Sequence, residues 1–504
     1  EDAMTHLGYV KDILLTSHTG SNNFYPFIHL ETVSLQLLSN LDIMFLREFL
    51  PFLFFLLYVF FIYLIVSSMI RDAKFGLLSL LFASVPFMSD CLINFTSSGT
   101  LFFLIPFILY VLYKYLGKFS IAMCLLLLVL VLAVPFMHPE FSFVLILVSL
   151  VITTIRHLFK SQKTTATTLG GSLPAIASII FMLFLTWFIN FRQFNTYVLL
   201  IISFILVRLG GPSVGGLSSG EVISPIATYS LLVSKSQIAF IDSLRIILTI
   251  YGPMMVYALL GLLSLIALSY YFYKTKKYDP HVLSFMSMFG ILSVFTAILI
   301  VMPVLVTYNR ILKYVLMFAV ILTGVGFFYL ANKTNAKKTL VVSFIAIALS
   351  LLMLVSMFNL YPSPILYSYN YQVSHMELAG AGWFLSHGNT NIPPIYLFYT
   401  FGRFANEIQG CEQSQLKNYM YSTSSLNRLP PDHFNYHKKP YLRDTYHNER
   451  YIFLNKLTRQ YYLQLWPNIN RYNAGDFYMI ERDVSISSIC TNGELDIYYL
   501  SGQY

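Results

Sequence analysis

The chain has 504 residues, of which 57% are hydrophobic and 17% aromatic, while only 11% carry a charge. A soluble domain of that length cannot bury so much apolar surface, so lipid must solvate part of it. The net charge of +9 does not mark a nucleic-acid partner, because many of the basic residues sit in short loops between apolar runs.

Residues 1–48 precede the first long apolar run. They hold Glu1, Asp2, His6, Tyr25-Pro26 and His29, a dense set of carboxylates and imidazoles for so apolar a chain. The segment is amphipathic and contains no uninterrupted span, so helices lying on a membrane surface are expected. The sequence opens in mid-motif without a Met, and an upstream segment carrying a signal or a first span is expected.

Ten apolar runs can serve as spans, over 49–69, 75–89, 100–113, 119–136, 141–155, 172–189, 250–273, 281–303, 311–330 and 339–358. Several fall short of the usual ~20 residues and should tilt little or be shielded by protein. Pro86, Pro106 and Pro135 lie in or at the ends of these runs, which neighbouring helices can tolerate by covering the freed carbonyls.

Lys and Arg orient the spans. One set of alternating loops carries Arg71 and Lys74, Lys114 and Lys118, Arg156, Lys160 and Lys163, Lys274, Lys276 and Lys277, and Lys333, Lys337 and Lys338. The short loops of the other set, 90–99, 137–140 and 304–310, contain only Arg310. The first set is therefore read as cytoplasmic, which puts residues 1–48 outside and, after ten crossings, residues 361–504 outside too. Acidic residues follow the same division. Up to residue 360 only Asp72 and Asp279 fall on the cytoplasmic side, whereas Asp90 and Glu140 occupy very short outer loops. Ionisable groups so close to hydrocarbon are costly and tend to be functional.

Residues 190–249 read as a long outer excursion with a short apolar stretch at 197–207 and a glycine-rich run from Gly210 to Gly216. An interfacial helix plus a linker explains it, and a lid over a substrate is the functional alternative. Beyond Tyr361 the composition becomes that of a soluble domain, with Pro362 and Pro364 at the boundary. A capped helix is expected over 374–387 with Leu378 and Trp383 on its packed face, and strands over 395–399, 476–481 and 494–500. Together these give a C-terminal extracytoplasmic α/β domain over 361–504. Cys411 and Cys490 both fall there, where a disulfide could form.

No P-loop, dinucleotide fingerprint, HExxH or CxxC occurs. His138-Pro139-Glu140 offers two metal ligands, a weak signal that helix capping by His138 explains as well. Glu1 and Asp2 could cap a surface helix, and Arg310 could anchor its helix at the headgroups.

The order of features resembles the C-type superfamily of membrane glycosyltransferases, especially protein-mannosyltransferases and oligosaccharyltransferases of archaea and bacteria. The likeness rests on an outer acidic pair, then His6 and Tyr25-Pro26, amphipathic outer helices, many spans, a second acid at Asp90, and a closing soluble domain. It implies a polytopic α-helical membrane protein of about ten spans, plus a missing first one, at the cell membrane. The implied reaction moves a sugar from a polyprenyl-phosphate donor to a protein or glycan acceptor. Asp2 would be the first-loop acid, with Glu1 as its neighbour and Asp90 as the second-loop acid. A divalent metal, Mg or Mn, is the one cofactor the resemblance admits, on Asp2 and Asp90. The leaving phosphate needs a cation, for which Arg310 in Tyr308-Asn309-Arg310 and Lys313 one turn on are the candidates. His6, His138, Glu140 and Tyr308 complete the expected substrate-binding set. The second outer loop has Ser89-Asp90-Cys91 rather than a DxD, and the C-terminal domain lacks a Trp-Trp-Asp motif, which counts against peptide-asparagine transfer. Two other classes fit the same pattern: a degenerate relative serving as a scaffold subunit of a membrane complex, and a lipid or polysaccharide transporter. A transporter needs a polar path across the membrane, which the nearly uncharged spans do not offer.

Overall fold

A computed structural model describes residues 2–70, 73–85, 89–117, 120–159, 172–191, 195–196, 198–199, 240–276, 278–301, 308–333, 338–358, 360, 372–389, 391–392, 394–397, 401–416, 430–465, 467 and 471–502. The glycine-rich run and most of the 190–249 excursion lie outside these residues.

Two helices fill the first segment, α1 (Asp2–Thr16) and α2 (Pro26–Ser39). Pro26 opens α2, where its missing N–H costs nothing, and Asn40 closes it in the left-handed conformation. Each of the ten apolar runs lies largely within a helix. They are α3 (Ile43–Ile70), α4 (Ala73–Ser84), α6 (Ser97–Gly117, after the short α5, Ser89–Ile93), α7 (Ile121–Met137), α8 (Pro139–Leu158), α9 (Ser172–Phe188), α10 (Phe240–Thr275), α11 (Pro280–Val301), α12 (Tyr308–Lys333) and α13 (Lys338–Met357). Among the described residues, α3, α6, α8, α10, α11 and α12 are long and apolar enough to cross a membrane. The chain is thus a helical membrane protein.

The centre of the bundle is α12, whose most apolar window is 83% buried inside the protein, against 17% for that of α10. It packs on α10, α11, α4 and α3. Small residues permit the approach: a Cβ on Gly324 would lie 2.9 Å from the Cβ of Ser79, and one on Gly326 would lie 2.8 Å from that of Ser264. The outer faces of α10 and α13 expose Leu259, Leu263, Ile266, Leu351 and Leu354, side chains that lipid would solvate.

The C-terminal unit is built on a four-stranded sheet of order β1-β2-β4-β3, with β1 (Pro394–Tyr396), β2 (Arg450–Asn455), β3 (Ile486–Thr491) and β4 (Leu495–Leu500). The β1–β2 pair is parallel and the other two are antiparallel. Strand alternation feeds a core on each face. Tyr451 and Phe453 join Phe384, Phe401 and Phe404 on one side, while Ile452 and Leu454 join Tyr472, Phe477 and Ile480 on the other.

Three expectations for this unit change. Residues 476–481 are helical, inside α17 (Ala474–Arg482), because Asn473 and Asp476 form a reciprocal capping box that satisfies the helix start. In α14 (His375–His387), Trp383 is 37% exposed and stacks on His387, while Ala381, Phe384 and Leu385 face the core and Leu378 packs partly against it. Cys411 and Cys490 are free thiols, and Cys411 Sγ donates instead to the Thr5 carbonyl at 3.3 Å.

The first segment joins the two bodies. Thr5, Gly8 and Asp12, on one face of α1, meet α15 (Phe401–Gln409) and α16 (Cys411–Leu416). Arg403 and Asn406 donate to Thr5 Oγ1 at 2.9 and 3.2 Å, and the Cys411 and Glu412 amides donate to Asp12 Oδ2 at 3.0 and 3.1 Å. Val10 and Ile13, on another face, belong to the bundle core, whereas Met4 belongs to that of the C-terminal unit.

Candidate functional site

The starts of α6, α8 and α12 meet beneath the first segment. Glu140 lies in the first turn of α8, where its charge suits the helix dipole. Lys313 comes from the second turn of α12, and its Nζ stands 2.8 Å from Glu140 Oε2 and donates to the Ser98 carbonyl at 3.0 Å. Side-chain exposures of 6% for Lys313 and 11% for Glu140 make this a buried pair. Arg310 Nη1 approaches Glu140 Oε1 at 3.5 Å with a side chain 58% exposed. Tyr314 donates its hydroxyl to Glu140 Oε2 at 3.4 Å. One carboxylate therefore organises two cations and a phenol drawn from a helix 170 residues away.

His138 links this cluster to the first segment. Its Nδ1 accepts the Glu140 amide at 3.3 Å, capping α8, so its proton sits on Nε2. Burial holds its pKa down to about 3, against the pull of the Glu140 carboxylate. It is therefore neutral, and its 3.9 Å approach to Glu140 is no ion pair. The Tyr25 ring packs on it at 4.6 Å, just before the proline that starts α2. Trp187 Nε1 donates to the Phe24 carbonyl at 3.1 Å and fixes the same turn from α9.

His6 projects from α1 toward α2. Its Nδ1 is 2.8 Å from His29 Nε2, and His29 Nδ1 is 2.9 Å from Asn23 Oδ1. His29 and Asn23 are buried. Burial, reinforced by the neighbouring His6, keeps the His29 pKa well below the ordinary imidazole value. The His6 ring also meets Phe95 edge-on at 6.3 Å and lies close enough for its charge to bear on His138.

The structure thus gathers His6, His138, Glu140, Arg310 and Lys313 at one end of the bundle. Tyr308 opens α12 half-buried against the bundle core, and among the described residues it makes no hydrogen bond to that cluster. Glu1 lies outside the described residues. Asp2 begins α1 and Asp90 lies in α5, and their side chains are likewise outside the description. Asn23 and Tyr314 were not marked out by sequence reasoning, and Tyr25 and His29 were noted there without a role in the site. Tyr25-Pro26 and His29 carried a signal by lying in the polar segment, whereas Tyr314 is one aromatic among many in an apolar run.

Among the described residues no three His, Cys, Asp or Glu side chains are grouped to hold a metal ion. The His138–Glu140 pair does not fit one, since Glu140 is engaged by Lys313, Arg310 and Tyr314 and His138 Nδ1 by a backbone amide. What the cluster offers chemically is cation. Lys313 has a third N–H beyond its two contacts, and Arg310 has four guanidinium N–H groups beyond the one turned to Glu140. Neither a scan against protein-family models nor a search of curated proteins finds a match for this chain.

Proposed function

We propose that the protein is a membrane glycosyltransferase that moves a sugar from a polyprenyl-phosphate-linked donor to an extracytoplasmic protein or glycan acceptor. The observation that carries this reading is the Arg310–Glu140–Lys313 cluster where the helix starts meet the first segment. Glu140 holds both cations in place, and Arg310 turns its remaining donors outward. A lipid phosphate at the bundle rim would meet that guanidinium while its apolar tail lies along exposed span surfaces. The positive charge would stabilise the phosphate as it departs from the anomeric carbon. Asp2, at the start of α1, its sequence neighbour Glu1, and Asp90, in α5, remain the proposed acids of the acceptor side.

The same pair supports a second reading. Glu140 pairs with Lys313 at 2.8 Å, as in a purely structural ion pair, and a scaffold subunit of a membrane complex needs nothing more. The two separate on binding. The full chain in lipid nanodiscs is offered radiolabelled polyprenyl-phosphate sugars, and binding and transfer are measured for the wild type, Arg310→Ala and Asp2→Asn. Loss of the guanidinium should weaken donor binding about tenfold or more, since hydrogen bonds to charged groups contribute roughly 1.5–3 kcal/mol. Equal transfer by Asp2→Asn removes Asp2 from the mechanism, and no donor binding by the wild type leaves the scaffold reading.

A further inference from the structure

The C-terminal unit carries a cavity of about 400 Å³, within the range of small-molecule sites. It lies on the sheet face where Tyr498 joins Phe477 and Ile480 of α17. Lys456 and Arg459 line it from the short helix Lys456–Gln460, Glu481 from the last turn of α17, Ser488 from β3, and Asp496 and Tyr498 from β4. The charged part of this lining is held in place. Arg459 donates to Glu481 Oε1 at 3.1 Å and to Asp496 Oδ2 at 3.0 Å, and its guanidinium stands 5.5 Å from the centre of the Phe477 ring. The Thr491 hydroxyl donates to the other Asp496 oxygen.

We propose that this cavity binds a neutral, hydroxyl-rich glycan. Naming that glycan as the acceptor rests on the glycosyltransferase reading, whereas the binding itself does not. The lining charges select the class. Lys456 and Arg459 balance Glu481 and Asp496, and every one of the four is already paired, Lys456 with Glu494 at 2.9 Å. An anion would have to displace a carboxylate from its cation, and a cation the reverse. A sugar hydroxyl both donates and accepts, so it can add to these pairs without breaking them. Lys456 keeps two N–H groups beyond its contact with Glu494. Glu481 Oε2 and the Ser488 hydroxyl have no hydrogen-bond partner among the described residues.

An extended peptide fits this place less well. β3 is an edge strand of the sheet, where a peptide would add by strand pairing. Its register shifts between Ser488 and Cys490, and such a bulge interrupts the row of backbone groups that an added strand needs. The bulge adjoins the cavity, with Ser488 and Thr491 both exposed. At the β3–β4 turn Gly493 keeps the rim low. It holds a left-handed φ of +85°, and a Cβ there would meet nothing within 4 Å, so a ligand can approach past it.

The test uses the full chain in lipid nanodiscs and saturation-transfer NMR observed on the ligand. The probes are neutral gluco-, galacto- and manno-oligosaccharides, a uronic-acid oligosaccharide, a serine-rich peptide and inorganic phosphate. At least one neutral oligosaccharide should bind the wild type. Ser488→Trp fills the cavity from an exposed strand position and leaves the ion pairs in place, and it should weaken that binding about tenfold or more. Glu481→Gln keeps the side-chain shape and should weaken it about fivefold, the difference between a charged and a neutral acceptor. Thermal unfolding shows whether each variant is folded, and should Ser488→Trp fail to fold, Glu481→Gln decides alone. Binding of no neutral oligosaccharide, or tighter binding of the uronate, peptide or phosphate, overturns the proposal. So does binding that is unchanged in the folded variants. A radiolabelled polyprenyl-phosphate sugar separates this from the transferase reading. Glycan binding without binding or transfer of that donor removes the transferase and leaves the glycan site standing. Transfer to the peptide without glycan binding removes the glycan site and leaves the transferase.

Discussion

Lys313 and Glu140 are a buried ion pair whose partners come from the starts of two different helices, 2.8 Å apart. Each is expensive to bury alone. Glu140→Gln strands a buried ammonium and should cost about 3–5 kcal/mol of stability. Lys313→Met should cost less, because Arg310 and Tyr314 still face the carboxylate. The double variant should recover part of the single losses. Thermal unfolding of all three in one detergent checks this, and strict additivity would mean that the pair does not couple.

The close crossing of α1 and α15 depends on Gly8. A Cβ there would lie 2.6 Å from the Asn406 carbonyl oxygen and 2.7 Å from Cys411 Sγ. Gly410 is equally constrained. It holds a left-handed φ of +94°, and a Cβ on it would strike Asp12 Oδ1. Gly8→Val and Gly410→Ala should each loosen the C-terminal unit from the bundle at a cost of about 1–3 kcal/mol. Limited proteolysis should then cut sooner within 360–372. Cleavage at the wild-type rate would show that the two bodies are held by something else.

How far the sequence could be read depends on the element. The apolar runs made the helical membrane bundle legible, since nothing but helix satisfies the backbone there. Strand alternation likewise announced β4, and Ser374 with Glu377 announced α14. The error at 476–481 came from reading Phe477-Tyr478-Met479-Ile480 as a strand while passing over Asn473 and Asp476, whose mutual capping decides for helix. The site was half legible. Lys313 and Glu140 stood out as charges beside hydrocarbon, but no spacing rule joins residues on separate helices. Tyr314 was invisible for the same reason, and the His6–His29 contact depends on how a turn ending at Tyr25-Pro26 folds α2 back on α1.

That capping box supplies its own check. Asn473→Ala removes the acceptor for the Asp476 amide and should cost about 1 kcal/mol. Asp476 also receives the Asn473 amide and stands 2.8 Å from His433, so Asp476→Ala should cost more than Asn473→Ala. A denaturant series on the full chain, followed by fluorescence of Trp383, orders the two.

Cys411 and Cys490 are free, and the Cys411 thiol is buried, donates to Thr5 and is pushed far above its ordinary pKa by that burial. Alkylation of the unreduced, denatured protein should therefore modify all of Cys91, Cys124, Cys411 and Cys490. In the native state Cys411 should resist alkylation, because its thiolate is scarce. Mass spectrometry reads both states, and an unmodified Cys411–Cys490 pair after denaturation would establish the disulfide instead.

Glu31 gives the clearest dependence on pH. It lies on α2 two residues beyond His29, its Oε2 is buried without a hydrogen-bond partner, and burial lifts its pKa to about 7. In the unfolded chain the carboxyl returns to its ordinary value of 4.5. The folded state therefore holds the proton more tightly, and the stability this contributes is complete below pH 4.5 and is lost as pH rises through 7. Above that, the ionised carboxylate has no hydrogen bond to Oε2 among the described residues to offset its desolvation. Glu31→Gln should match the wild type near pH 4 and exceed it by about 2–3 kcal/mol near pH 8. His29 acts in the opposite sense, because its depressed pKa removes stability as pH falls below 6.5, so Glu31→Gln in that range isolates the carboxyl. Unfolding midpoints of the two proteins across pH 4–8 should diverge only above pH 4.5. A constant difference at every pH would mean that Glu31 does not titrate between those limits and is not desolvated in the folded protein.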